Sequence, residues 1–439
     1  MQTIETAALQ HLGIKTLNPM QQAAHKAIVQ QAEVLLLSPT GSGKTVAFLL
    51  PLLSLFSPTA SGVQCLVLVP SRELALQLEQ VWKKMSTGYK VNVCYGGHDA
   101  RTEANNLATP PALLIGTPGR IADHVQRGRV DLTTIPTLIL DEFDKSLELG
   151  FQQEMEFIIK GMQQVSKKIL VSATSAIQIP AFALVKSPTV LNFSAADTKS
   201  AAELSLRLII SPEKDKVNTL FQLLCHLPAE PALIFCNHRE SCERTASFLQ
   251  EKGLETAIYH GGLEQTDRER ALIRFRNRSV HYLVTTDLAA RGLDIPAMNQ
   301  VIHFQLPPVE TDFTHRNGRT ARMNAKGTAY LLISQEEKLP KYITEAPTEN
   351  PLPKRSALPA PPLYQTVYIN GGKKNKVNKF DVVGTFLQKG QLDKDDLGLI
   401  EVQDYNTYVA VKTAKVSSLL RLLKDEKIKG KKYKIGIAG

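Results

Sequence analysis

Eight residues, Ser38-Pro39-Thr40-Gly41-Ser42-Gly43-Lys44-Thr45, constrain this chain more than any other stretch. They follow an apolar run, Val34 to Leu37, and lead into the apolar-rich segment that begins Val46-Ala47-Phe48. A buried strand that breaks into Gly and Ser and reopens as a helix leaves several backbone N–H groups pointing at one spot, and that spot suits phosphate. Gly41 and Gly43 let the backbone close around an anion without Cβ clashes. Lys44 supplies a point charge for terminal phosphates, and the Thr45 hydroxyl is placed to ligate Mg2+. The stretch matches a P-loop, with Ser38 standing at its first Gly, because strand, loop and helix occur in the order a phosphate site requires.

Short apolar runs alternate with longer amphipathic stretches twice along the chain. In the first half the candidate strands are Val34 to Leu37, Cys65 to Val69, Val91 to Tyr95, Leu113 to Ile115, Leu138 to Leu140 and Ile169 to Val171. A polar passage, Ser194 to Ser200, interrupts the pattern. It restarts with Leu206 to Ile210, Leu233 to Cys236, Thr256 to Tyr259, Tyr282 to Thr285, Val301 to Phe304 and Thr328 to Ile333. Such alternation predicts parallel sheets wrapped by helices, and two α/β domains in tandem, residues 1–200 and 201–335, explain it better than one oversized sheet. Residues 336–362 hold seven prolines and read as a semi-rigid linker. Beyond them, residues 363–439 predict a small α+β module.

The formal charge of +10 is unevenly spread: residues 363–439 carry 15 Lys/Arg against 8 Asp/Glu. A polyanionic partner for that module follows. The five cysteines, Cys65, Cys94, Cys225, Cys236 and Cys242, lack metal-ligand spacing and read as reduced small hydrophobes, which suits the cytoplasm. No run reaches the roughly 18 apolar residues of a membrane span, and Met1-Gln2-Thr3-Ile4-Glu5 does not open a signal peptide. A soluble, cytoplasmic protein without a membrane partner is expected.

Asp141-Glu142-Phe143-Asp144 closes the apolar run Leu138-Ile139-Leu140, placing acids at a strand's carboxyl end, where open α/β sheets bind ligands. Asp141 is placed to hold Mg2+ through its water shell and Glu142 to orient and deprotonate an attacking water. Alone, an acidic tetrad is usually a helix N-terminus; the P-loop ahead of it reverses the odds.

Further motifs join these two. Pro70-Ser71-Arg72-Glu73-Leu74-Ala75, Gly96-Gly97, Thr117-Pro118-Gly119-Arg120, Ser172-Ala173-Thr174, Thr286-Asp287, Ala290-Arg291-Gly292-Leu293-Asp294 and the run His315 to Arg322 follow in order. In sequence and approximate spacing the whole set resembles the DEAD-box RNA helicases, over residues 1 to about 335. That resemblance implies two RecA-like domains that close together on ATP and single-stranded RNA.

Carried over on that resemblance, Gln21 is the adenine reader, since a carboxamide donates to N7 and accepts from N6. Ile4 and Ile14 stand where the family tends to place aromatic residues, so weaker adenine binding is expected. Ser38 to Thr45 would hold the phosphates and Asp294 the ribose. Arg319 and Arg322 would reach the γ-phosphate from the second domain, a contribution on the order of 10³ to 10⁵ in rate. Ser172 and Thr174, with Asp144, would couple the nucleotide state to unwinding. Pro70, Arg72, Gly97, Thr117, Gly119, Arg120, Gln265, Arg268, Thr286 and Arg291 would hold the RNA backbone, by contacts that fix a strand without reading its bases. Phe143 and Asn317 depart from the family, which usually has Ala and Ile there.

In the basic module, Val367 to Lys376 and Asp404 to Val411 resemble the two inner strands of an RNA-recognition-motif fold. Tyr368 and Tyr408 lie where base-stacking aromatics occur, with core packing as the alternative, and Lys373, Lys374 and Lys376 sit on a Gly-Gly-Lys-Lys turn. This turn and the closing run Lys427 to Lys434 are similar to the ancillary domain of one bacterial branch of the family. That likeness implies a monomer anchored to a hairpin of large-subunit ribosomal RNA in a pre-50S particle, unwinding adjacent short duplexes. On the motor motifs alone, a general helicase for messenger or cold-stabilised RNA, an ATP-gated RNA clamp or annealing chaperone, and a DNA translocase stay open.

Overall fold

The computed structural model describes residues 4–39, 41–97, 100–173, 179–193, 204–289, 295, 298–320, 327–353 and 357–439. They form two compact units, one built from the sequence up to residue 201 and the other from residue 202 onward.

The first unit is a seven-stranded parallel sheet: β1 (Glu33–Leu37), β2 (Cys65–Leu68), β3 (Val91–Cys94), β4 (Leu113–Gly116), β5 (Thr137–Asp141), β6 (Lys167–Ser172) and β7 (Thr189–Asn192). Their spatial order is β3-β4-β2-β5-β6-β1-β7. The central strands read as unbroken apolar runs because helices cover both faces. Alternate side chains divide between two cores: Val34, Leu36, Val67, Ile139 and Ile169 pack with Phe48 and Trp82, whereas Leu35, Leu66, Leu140 and Leu170 pack with Ile121, Phe143 and Met155. Because all pairs are parallel, every strand delivers its following loop to the same edge.

The second unit repeats this layout with β8 (Leu204–Ser211), β9 (Ala232–Phe235), β10 (Thr256–Tyr259), β11 (Tyr282–Thr285), β12 (Gln300–His303), β13 (Gly327–Ser334) and β14 (Thr348–Glu349), in the order β10-β11-β9-β12-β13-β8-β14. The proline-rich stretch is laid along this unit. Lys216 Nζ bonds Glu337 Oε2 at 2.7 Å, Tyr342 Oη donates to Pro307 O at 2.5 Å, and Thr348 and Glu349 pair with β8 as β14.

The remainder of the second unit is a four-stranded antiparallel sheet, β15 (Tyr364–Ile369), β16 (Leu397–Val402), β17 (Thr407–Lys412) and β20 (Ile435–Ile437), in the order β16-β17-β15-β20. A two-residue hairpin pair, β18 (Lys427–Ile428) and β19 (Lys431–Lys432), lies outside it. One face packs on the helices Lys379–Gln388 and Thr413–Leu423 through Val367, Val409, Val382, Phe386 and Leu419. The other face meets the helix Gln265–Arg276. Tyr408, 4% exposed, and Ala438 pack against Ile273, with Tyr368 alongside. This corrects the expectation of base stacking by Tyr408: the ring is spent on an apolar contact between the sheet and that helix. Tyr368 lies 5.6 Å from it, centroid to centroid, and its hydroxyl donates to Asn406. Polar groups frame the contact. Thr366 Oγ1 accepts from Asn277 Nδ2 at 3.1 Å and meets Ser279 Oγ at 2.7 Å, and Arg276 bonds Glu401 at 2.7 Å. Among the described residues no helix is long and apolar enough to cross a membrane.

Candidate active site

Strand order decides which side chains meet. β5, β6 and β1 are neighbours, so the P-loop, the acidic tetrad and Ser172 emerge side by side. Leu37 pairs with Ser172, Asp141 pairs with Val171, and Ser38 N donates to Ser172 O at 3.1 Å. The loop is drawn tight: Lys44 Nζ donates to Ser38 O at 2.6 Å, and the Ser38 and Ser42 hydroxyls lie 2.7 Å apart. Gly43 has φ +90°, and a Cβ there would fall 2.6 Å from Gln21 Nε2, so this position needs glycine on two counts.

Gln21 is buried in a capping box. Its Oε1 accepts from Asn18 N at 3.0 Å, its backbone N–H donates to Asn18 Oδ1 at 2.8 Å, and its Nε2 donates to Gly43 O at 3.2 Å. Asn18, which the sequence reading did not single out, donates to Ser42 O at 3.0 Å. The pair thus sutures the helix Pro19–Gln30 to the phosphate loop.

Asp141 is buried at the end of β5, and burial, then the neighbouring Glu142, pushes its carboxyl up to about 7. A divalent cation beside it would restore the charged form. Glu142 carries φ +46°, a left-handed backbone that a glutamate adopts only when its surroundings impose it, and it heads the helix Phe143–Glu148. Asp144 and Ser172 are buried nearby in the sequence of loops, and Thr45 opens the second residue of the helix Lys44–Leu49. Phe143 fills the core beside Leu140, which accounts for a large residue in that place.

The other half of the same edge, after β2, β3 and β4, gathers the first-unit residues expected to hold RNA. Pro70 is buried, and the Arg72 guanidinium lies 4.5 Å from the Tyr95 ring centroid and 3.8 Å from the Cβ position of Gly97, whose φ is +82°. Thr117 precedes the helix Pro118–Gln126, which contains Gly119 and Arg120. Arg120 is turned inward: its Nε bonds Glu103 Oε2 at 2.6 Å, and Asp123 lies 3.7 Å from Nη1.

Glu103 was missed in the sequence. It is buried and also accepts from Tyr95 N at 3.1 Å and bonds His124 Nε2 at 2.7 Å, so it ties the Gly96-Gly97 loop to the Thr117 loop. Burial pushes its carboxyl up, but the bonds from His124, Arg120 and Tyr95 outweigh that and hold it below the ordinary value. Cys94 offers its sulfur to the same cluster within 4.8 Å, yet the guanidinium already balances the carboxylate, and burial and Glu103 push the thiol up to about 12. A closed ion-pair network describes this cluster better than a metal site.

In the second unit two arginines three apart have different surroundings. Arg316 is a buried anchor: it holds Asp287 by Nε at 2.6 Å and Nη2 at 2.9 Å, donates to Gln305 O and Asn237 Oδ1, and lies over the Phe235 ring. Arg319, the expected reacting-site residue, is 2% exposed. Asn317 bonds His303 Nε2 at 2.9 Å, which gives a physical reason for an amide there. Gln265 and Arg268 share one turn of their helix and are hydrogen-bonded to each other, and Thr286 follows β11. Thr40, Thr174, Arg291, Asp294 and Arg322 lie outside the described residues.

Lys373, Lys374 and Lys376 are exposed on the turn after β15, which is pinned by Lys373 N to Gln403 O and Lys374 N to Asp404 O, both 2.8 Å. Lys429 crosses to this turn, with Nζ 3.0 Å from Lys376 O and 2.9 Å from Asp381 Oδ2.

Comparison with known proteins gives the family and the fold. Three family models match in order: DEAD/DEAH box helicase at residues 18–181, helicase conserved C-terminal domain at 215–324 and DbpA RNA binding domain at 366–437. The ATP-dependent RNA helicase DbpA of Escherichia coli is 33% identical over 97% of this chain and 95% of its own length. The Bacillus subtilis protein of the same name is 29% identical over 98% and 96%. In structure, S. cerevisiae Dbp5 bound to RNA and ADP BeF3 matches with a TM-score of 0.70 at 24% identity, covering 79% of this chain and 93% of that one, a likeness of fold.

Proposed function

The chain belongs to the DEAD-box ATP-dependent RNA helicases, in the branch with a DbpA RNA binding domain, and from that premise we propose that it remodels large-subunit ribosomal RNA in a pre-50S particle. The observation that carries this reading is the exposed lysine face of its last domain, attached to a motor whose own RNA set is suited to backbone alone. A motor that cannot read bases needs another part to choose its substrate. Lys373, Lys374 and Lys376 hold phosphates of the chosen RNA, and the protein acts as a cytoplasmic monomer.

Within the motor, the loop Ser38–Thr45 and Lys44 hold the ATP phosphates, and Gln21 meets the adenine. Mg2+ fits Thr45 and, through water, Asp141, whose buried carboxyl gains its charge back beside a cation. That ion would neutralise charge on the transferred phosphoryl group. Glu142, fixed by its strained backbone, orients the attacking water and accepts its proton. Arg319 and Arg322 supply positive charge to the γ-phosphate when RNA brings the two RecA-like domains together, so hydrolysis waits for RNA. Arg72, Gly97, Thr117 and Gly119 grip the strand, with Gln265, Arg268, Thr286 and Arg291 from the second domain; Arg120 acts by setting its loop.

ATPase stimulation tests this reading. A large-subunit ribosomal hairpin should stimulate far more than a scrambled hairpin of matched length; equal stimulation would reduce the chain to a general RNA helicase. Failure to release a strand from a duplex beside the hairpin, despite hydrolysis, would favour an RNA clamp.

A further inference from the structure

The last domain has lost the usual place for stacking a base, since Tyr408 and Tyr368 face the helix Gln265–Arg276. Of its other aromatic rings, Tyr364 is half-buried beside Gly398. Phe386 is in the core, and the Tyr433 ring packs over Gly371, 2.6 Å from where a Cβ would lie. Tyr405 is exposed but sits next to Asp404, in the turn between β16 and β17. Phe380 is different: it is 88% exposed, in the first turn of the helix Lys379–Gln388.

The fold does not need that ring. The helix start is set by Asn378 and Asp381 in a reciprocal capping box, with Asp381 N to Asn378 Oδ1 at 3.0 Å and Asn378 N to Asp381 Oδ2 at 2.8 Å. Lys379 precedes the ring in sequence. Lys429 is brought beside the same turn by its bonds to Asp381 and to the Lys376 carbonyl, so the β18–β19 hairpin and the Lys373–Lys376 turn converge there. An exposed flat ring with Lys379 before it and Lys429 bonded to the residue after it matches an unpaired nucleotide, whose base has an apolar face and whose phosphate is anionic. A protein partner would need an acidic counterpart; a duplex would offer the phosphates but hide its base faces.

We propose that Phe380 stacks on an unpaired base of the RNA whose phosphates are held by Lys376, Lys379 and Lys429. This rests on the reading that the lysine face is the RNA seat. Phe380 thus selects single-stranded elements, such as a hairpin loop, over continuous duplex.

The test is equilibrium binding of the full chain, without nucleotide, to a hairpin with an unpaired loop and to a blunt duplex, across a salt series. Phe380→Ala should weaken hairpin binding roughly 5- to 150-fold, the range for loss of one stacked base. It should leave both duplex binding and the slope of log K against log salt unchanged. Lys376→Gln and Lys379→Gln should each reduce that slope by about 0.7 to 0.9. Phe380→Trp should keep affinity and give an emission quenched by the hairpin but not by the duplex; Trp82, the only native tryptophan, is buried in the first unit. If the lysine variants lose slope while Phe380→Ala binds as the parent does, the stacking proposal falls and the RNA seat stands. If neither set changes binding, the seat itself is misplaced and both fall.

Discussion

The two parallel sheets share one strand order position for position, yet they end in different chemistry. β1 runs into a glycine loop, whereas its counterpart β8 ends at Ser211, whose hydroxyl meets Thr219 Oγ1 at 2.8 Å and is followed by Pro212 and Glu213. β5 ends in Asp141 and its counterpart β12 in His303. Both side chains are buried, and in both cases burial favours the neutral form: the aspartate is pushed up to about 7 and the histidine down to about 3. In the function proposed above a cation would recharge the first; the second is settled by its bond to Asn317. A shared scaffold therefore fixes where a residue emerges, and the emerging residue alone fixes whether that place reacts.

The widest way to break the comparison is to neutralise the residues proposed to react and, beside them, a cation in the loop after the counterpart strand. Lys44→Ala or Glu142→Gln should lower RNA-stimulated phosphate release by roughly 10³-fold or more, since catalysis here is almost all positioning and charge. Lys214→Ala, in the exposed loop after β8, should leave it within about twofold of the parent value, as surface changes usually do. Arg319→Ala should abolish hydrolysis while RNA binding persists; normal turnover in that variant would remove the second sheet from the reaction.

Arg316 sharpens the contrast from the side of stability. Arg316→Ala takes a buried guanidinium away from half-buried Asp287 and should cost up to about 3 kcal/mol, read from denaturant midpoints. An unchanged midpoint would mean that the anchor is replaceable.

His303 gives a pH signature. The unfolded histidine takes up a proton below about 6.5, while the folded one stays neutral until about 3, so the second unit should lose stability as pH falls through that window, by up to about 1.4 kcal/mol per pH unit. His303→Gln keeps a partner for Asn317 and cannot titrate. Its acid limb should be flatter; an identical limb would assign the loss to other groups.

The smallest effect concerns the edge proposed to hold RNA. Glu103→Gln should weaken the tie between two loops by about 1–3 kcal/mol and raise the RNA concentration for half-maximal ATPase without changing maximal turnover. A fall in maximal turnover alone would instead place Glu103 with the nucleotide.

The central strands were legible because they are apolar throughout and bounded by turn residues. β7 and β14 were not: one alternates half-buried and exposed positions, and the other is two exposed residues that pair only because the proline-rich stretch passes β8. The phosphate loop and acidic tetrad announce themselves because each needs adjacent residues. Glu103 could not, since its partners lie 8, 17 and 21 positions away. Nor could Tyr408: a strand pattern shows that a ring faces outward from its sheet, not what then covers it.

The seat of the small antiparallel sheet on the helix Gln265–Arg276 has a mechanical meaning. That helix offers Ile273 and Arg276 to the lysine-bearing domain while Gln265 and Arg268 begin its other end, about 1.5 Å of rise per residue away. On the function proposed above, the place where RNA is chosen and the place where it is gripped would be spaced as on a ruler, not joined by a leash. Which duplex is opened would then be set by its distance in nucleotides from the chosen element.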